Sequence, residues 1–377
     1  MSDQGELLKS AMHSRHVALD AKMTDEAGWS VPLSYAGVLD EAARTRRRAS
    51  VFDLSHCGRF RIRGDEAPEL LERACTADVA GLEDNSAAWT PLCNTSGGIV
   101  DRVRLIRLER FWVMVTSPVC RAKVFEHLSE LACEFDAAVD DQTSMTSLLA
   151  VAGPDAARIL DAVLPMDVGG MQPDDVAFGS FMVARYIADR CDLGRTWALM
   201  VQLPNMLAGQ AWQFITARAG RNAIAPAGLG AWDVLRIEAG QCRYGHEMNE
   251  TIDPLACGLG GEVDIVHDFL GRDALEAIGR RGPSRVLAGL ILEDPCGESG
   301  QERLRVPQMG TPVCSADGGE IGAITSGTFS PALDRTVALA MLAAGSGEPD
   351  SPVTVAMGER TVAARTARLP FVDGRTA

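Results

Sequence analysis

Two adjacent residues of opposite charge, Asp101 and Arg102, follow a Gly97-Gly98 pair and open an apolar, β-branched run. Asn94, Ser96 and the two glycines suit a tight turn, because glycine accepts the positive φ such turns impose. From Ile99 the pattern alternates, which predicts a strand through Arg102 to Leu108 and a hairpin partner at Phe111 to Thr116. Successive strand residues point to opposite faces, so one member of the pair faces inward, where a charge is costly without a partner or ligand. An inward guanidinium is a bidentate receptor for a carboxylate or phosphate, and it cannot be a general base because it stays protonated at any working pH. The other reading of Arg102 is a salt bridge to Asp101 or to an acidic residue of a neighbouring strand, with Arg104 solvated on the same face.

The elements that position this pair are legible around it. Ala87 to Cys93 reads as a strand entering the turn, and Cys120 to Phe135 as an amphipathic helix with Val124, Leu128 and Leu131 at helical spacing. Asp65 is expected to cap a helix to Cys75, and Asn205 one to Gly220. Leu148 to Pro154 reads as a buried strand followed by a helix from Asp155 to Leu164. Ser180 to Tyr186 and Trp197 to Gln202 form a strand pair connected by a loop over Ile187 to Thr196. A helix from Asp40 to Arg48 carries Arg44, Arg46, Arg47 and Arg48, read as a solvated face or as a dock for an acidic ligand. Gly228 to Gly240 opens a further helix. Beyond a linker at Gly279 to Ser284 the period becomes two. Strands are expected at Val286 to Leu292, Gly310 to Cys314, Glu320 to Ser326, Val337 to Leu342, Val353 to Met357 and Thr361 to Ala367. Asp317-Gly318-Gly319 and Gly358-Glu359 supply turns, as in a small barrel or sandwich.

A length of 377 residues accommodates two or three domains, and 46% hydrophobic with 5% aromatic residues fits a soluble α/β or α+β protein. A formal charge of −15 argues against a nucleic-acid partner or an anionic membrane. No apolar run is long enough to span a bilayer, and a polar N-terminus gives the expectation of a cytoplasmic protein without a signal peptide. The cysteines are scattered, with no Cys-x-x-Cys pair and no Cys/His cluster, which reads as reduced thiols and no metal site.

Asn94 to Arg102 resembles the catalytic turn of the glycine-cleavage T-protein family, typically Asn-x-x-Gly-Gly-Ile-Val-Asp-Asp, whose second Asp is the pterin-facing catalytic acid. That position is Arg102 here. The resemblance extends over roughly residues 10 to 372. It is carried by His16-Val17-x-Leu19-x-Ala21-Lys22-Met23, Phe52-Asp53-Leu54-Ser55-His56-Cys57-Gly58, Gly228-Leu229-Gly230-Ala231-Trp232-Asp233, Tyr244-Gly245-His246-Glu247-Met248, Phe269-Leu270-Gly271-Arg272, Thr325 to Pro331 and Leu369-Pro370-Phe371. It implies an α+β cloverleaf of two α/β subdomains around a central pocket (1–278), a linker (279–284) and a C-terminal β-barrel domain (285–377). It also implies tetrahydrofolate as acceptor of a one-carbon unit, assisted by a carboxylate.

Three polar positions of the family's pterin site read Arg102, Ala198 and Trp232 here. The retained set of Arg102, Tyr244 and His56, flanked by Asp101 and Arg236, is similar to that of folate-dependent aryl methyl ether demethylases in the same superfamily. On that resemblance Arg102 receives an anion, and Tyr244 and His56 donate and relay a proton. Tetrahydrofolate would then sit in an altered pose, stacked on Trp89 or Trp232, with Cys57, Trp197 and Arg236 as further contacts. The implied function is one-carbon (methyl or aminomethyl) transfer, as tetrahydrofolate-dependent demethylation of a small anionic donor. The alternative is a scaffold without folate, acting as a cofactor-free enzyme or binding protein for a small anion. The sequence leaves the oligomeric state open.

Overall fold

The strand Ile99–Leu108 sends alternate side chains into two different cores, and this decides the layout of the molecule. Val103 and Leu105 join Phe60, Met114 and Leu128 under the helices Ala67–Ala74 and Arg121–Ala132. Ile106 and Leu108 join Val115 of their own sheet and Leu148, Ala198 and Met200 of a second sheet. A computed structural model of the chain describes residues 6–162, 166–181, 184–218, 224–293, 306–358 and 360–373. Leu164, Gly220 and Glu359, which belong to expectations above, lie outside the described residues, as does Cys296 among the cysteines.

The first sheet has the order Ser86–Cys93, Ile99–Leu108, Phe111–Thr116, Gly58–Arg63, Ala138–Asp141. The second runs Val176–Phe181, Ala184–Leu193, Thr196–Pro204, Thr146–Ala152, Ser50–Asp53, Ala225–Pro226. A small sheet pairs Trp29–Ser34 with Leu8–Lys9 and Lys22–Glu26. The six strands expected after the linker are present, and Arg285–Leu292 pairs with both Arg335–Ala343 and Arg360–Ala367 to close a barrel. The fold is α+β, with two sheet-based lobes and a C-terminal barrel. No helix among the described residues is long and apolar enough to cross a membrane.

The Asn94 turn is built as its residues predict. Asn94 Oδ1 accepts the N–H groups of Ser96 and Gly98 at 2.9 and 3.0 Å, while its Nδ2 donates to the carbonyl of Glu250 at 2.9 Å. A Cβ on Gly98 would lie 1.9 Å from that carbonyl oxygen, so only glycine allows the approach.

Five local expectations are corrected. The connection over Ile187 to Thr196 is mostly strand, because Ala184–Leu193 pairs with Thr196–Pro204 down to Leu193↔Thr196 and leaves a two-residue turn. Arg46 is buried rather than solvated: it donates to Glu238 at 2.9 Å and to the carbonyl of Gly194 at 2.5 Å. The helix Arg272–Arg281 runs into the expected linker and leaves Gly282 to Ser284 as the connection. Glu66, not Asp65, precedes the helix Ala67–Ala74, and Asn205 turns its side chain to Ser147 and Ser144.

Candidate functional site

A cavity of about 330 Å³ opens where the inner faces of the two large sheets meet the helix Leu229–Glu238. Even-numbered residues of Thr196–Pro204 look toward it: Ala198 and Met200 pack in the inter-sheet core, and Met200 lines the cavity. Odd-numbered ones look away. Trp197 therefore packs on the far face with Leu199 and Val201, beneath the guanidinium of Arg190 at 5.0 Å, and is no cofactor contact.

The same alternation separates Asp101 from Arg102. Asp101 faces the back of its sheet, where it accepts the N–H and hydroxyl of Ser117 at 2.8 and 2.7 Å. Burial raises its pKa to about 6 even against those hydrogen bonds. It does not line the cavity; it orients Ser117, which does. Arg102 faces the cavity but is not an empty receptor. Glu262, from the single turn Gly260–Glu262, accepts its Nε at 2.7 Å and its Nη2 at 2.6 Å. Neither partner expected from sequence holds it. The guanidinium groups of Arg102 and Arg104 lie 4.4 Å and 5.5 Å from the centroid of the Trp89 ring. Arg104, expected to be solvated, is fully buried on Asp189 and Asp174.

His56 lines the cavity, and its Nδ1 is buried without a hydrogen-bond partner. Burial lowers its pKa to about 4, so it is a neutral imidazole at neutral pH. Cys57 lines the cavity as a thiol, since burial pushes its pKa up to about 12. Tyr244 presents its ring, but its hydroxyl bonds Lys123 and Glu250, neither of which lines the cavity. The Lys123 ammonium also sits 3.7 Å from the ring centroid. Desolvation raises the pKa of this phenol. Proton donation toward the cavity by Tyr244 thus has no support in the geometry.

Trp232 forms a wall of the cavity, edge-on to Phe52 at 5.4 Å. Arg236 also borders it, yet its guanidinium is consumed by Glu247, Asp233 and Ser326 at 2.8, 2.8 and 2.7 Å, so it joins the helix to the barrel instead of holding a ligand. Sequence reasoning missed Glu26 and Arg243, paired at 2.6 Å, together with Ser117, Met200 and Gln241. A pairing across that much chain leaves no local pattern.

Two flat indole walls and one buried, unpartnered imidazole nitrogen suit a planar heterocycle with a hydrogen-bonding edge, which is the shape of a pterin. A second chamber of about 350 Å³ shares Trp89, Arg102, Gln241 and Cys242 with the first.

The N-terminal domain model of the glycine-cleavage T-protein family matches residues 12–266, and the glycine cleavage T-protein C-terminal barrel domain matches residues 285–373. The chain is 34% identical to the aminomethyltransferase of Rubrobacter xylanophilus over 98% of its length and 95% of that relative. It is 35% identical to the aminomethyltransferase of Thermus thermophilus, covering 97% of this chain and 99% of the other. Among solved structures, the glycine cleavage system aminomethyltransferase T from Bartonella henselae superposes with a TM-score of 0.89 at 27% identity, over 98% of this chain and 99% of that one.

Proposed function

This chain belongs to the glycine-cleavage T-protein family, and on that premise we propose that it is a one-carbon transferase using tetrahydrofolate in the cavity between its two sheets. In our finer reading it demethylates a small anionic donor. The observation that carries the cofactor is the orphaned Nδ1 of His56 beside the aromatic walls of Trp89 and Trp232, a set that lacks only a planar partner.

When bound, tetrahydrofolate supplies the ring nitrogen that accepts the one-carbon unit. Trp232 and Trp89 offer stacking faces to a flat ring. His56, held neutral by burial, offers one hydrogen bond that is charge-free at neutral pH. Asp101 fixes the Ser117 hydroxyl at the cavity wall. Arg102 and Glu262 present a fixed dipole of zero net charge at the position where the family resemblance implies a carboxylate. Arg102, Arg236 and Arg243 line the cavity, but each already holds a carboxylate, so a donor anion must find its cation elsewhere.

Calorimetric titration with 5-formyltetrahydrofolate tests the cofactor. Binding is expected, weakened at least tenfold in Trp232→Ala. Absence of both heat and a Tm shift with reduced folates sinks the proposal. One observation favours the folate-free alternative in that event: the only carboxylate lining the cavity among the described residues is Glu26, and Arg243 holds it.

A further inference from the structure

The second chamber contains a cation without a partner among the described residues. Its carboxylates are each engaged: Asp174 by Arg104 at 2.6 Å, Asp192 by Arg190 at 2.9 Å and Glu262 by Arg102 at 2.6 Å. Arg195 lines the same chamber and has no hydrogen bond or ion pair among the described residues. It occupies the two-residue turn Gly194-Arg195, where both residues have left-handed φ, +56° and +60°. Such a turn is served best by Gly, Asn or Asp, and arginine there is strained. The backbone of the turn is nevertheless clamped: Gly194 N–H donates to Gln241 Oε1 at 3.1 Å, and its carbonyl accepts from Arg46 at 2.5 Å. Gln241 also borders both chambers, so the turn is fixed to the partition between them.

We propose that Arg195 is the specificity residue for the one-carbon donor and binds a carboxylate of a small organic acid in the second chamber. This rests on the one-carbon reading of the neighbouring cavity. A guanidinium always carries its charge, and an unpaired one in a recess is a fork for a planar anion. Trp89 and Arg102 line both chambers, so a donor held by Arg195 lies next to the cofactor cavity. The strained arginine in place of a cheaper turn residue is the feature that a purely structural role leaves unexplained.

The test compares benzoate and 4-methoxybenzoate with benzamide and 4-methoxybenzamide in thermal-shift and calorimetric titrations of the full chain. The acids are expected to raise Tm and the amides to leave it unchanged. Arg195→Ala should weaken acid binding at least tenfold, and Arg195→Lys should retain part of it. Arg195→Gly should raise Tm by removing strain while losing the acid response, the reverse of what a structural arginine would give. Titration of the same variants with 5-formyltetrahydrofolate should match the wild type. If folate binds and the acids do not, or if Arg195→Ala and Arg195→Gly bind the acids as the wild type does, the assignment is overturned and the cofactor reading stands. If the acids bind through Arg195 while folate does not, the cofactor reading fails, the carboxylate site at Arg195 stands and its role in choosing a one-carbon donor falls.

Discussion

Arg102 and Arg104 sit two residues apart on the same face of one strand and lie against the same indole, yet they do opposite jobs. Arg104 is completely buried, with Asp189 at 2% exposure, and its two bonds to that carboxylate tie the first sheet to the second. Arg102 and Glu262 keep 16% and 23% of their side chains exposed, and their pair lies along the partition between the two chambers. Burial opposes the charge on Arg104, but Asp189 more than offsets it and raises its pKa. Opposite the same strand, two environments convert one residue type into a fastener and into part of a site.

The comparison breaks most clearly at Arg104. Arg104→Met leaves Asp189 buried without a counter-charge and is expected to cost about 3–5 kcal/mol in urea denaturation. Replacing both partners, Arg104→Met with Asp189→Leu, should return most of that loss, because a buried pair exchanged for apolar groups of similar volume is close to neutral. Equal destabilisation by the single and double variants would show that the pair does more than neutralise itself.

That contrast explains what was legible in the sequence. The strand, its hairpin and its inward face follow from alternation, and the barrel follows from short period-two runs between turn residues, since both signals are local. Asp189 and Glu262 were invisible as partners because each reaches its arginine from a distant segment, and spacing along the chain carries no information about such pairings. The same holds for Arg46, whose carboxylate Glu238 is far along the chain. The Ile187 to Thr196 stretch read as a loop because the resembled family joins these strands by one, and its charged residues Asp189, Arg190 and Asp192 hide the apolar alternation of a strand. In the folded chain the first of them is neutralised by Arg104, and the other two pair with each other. Trp197 was assigned to the site by a motif match, and the strand's alternation, applied one residue further, would have placed it on the outer face.

A second test uses the proton-binding groups on either side of this strand. Asp101 keeps its proton up to about pH 6 in the folded state against an ordinary 3.8, so its contribution to stability falls as pH rises through that interval. His56 loses its proton near 4 in the folded state against an ordinary 6.5, so its contribution rises with pH over nearly the same interval. Each slope is about 1.4 kcal/mol per pH unit, and the two oppose one another between roughly pH 4 and 6. The wild type should therefore show little change of Tm there, apart from acid loss below it as Asp53, held near 2 in the buried pair with His16, begins to protonate. Asp101→Asn should make Tm fall on acidification from 6.5 toward 4, and His56→Asn should make it rise. If both variants keep the wild-type profile, the charge states assigned to these buried groups are wrong.

The smallest effect on stability is expected at the site pair itself. Glu262→Gln keeps the shape of the side chain and removes its charge. Because the pair is partly hydrated, the cost should be about 1 kcal/mol or less, well below that at Arg104. Its functional effect should be larger than its structural one, since it frees a guanidinium at the wall shared by the two chambers. Benzoate affinity, measured by calorimetry, is expected to increase in Glu262→Gln, and Arg102→Ala with Glu262→Gln should cancel the gain while preserving the fold. A loss of stability at Glu262→Gln comparable to that at Arg104→Met, with no change in benzoate affinity, would make Arg102 a second fastener and erase the distinction between the two arginines.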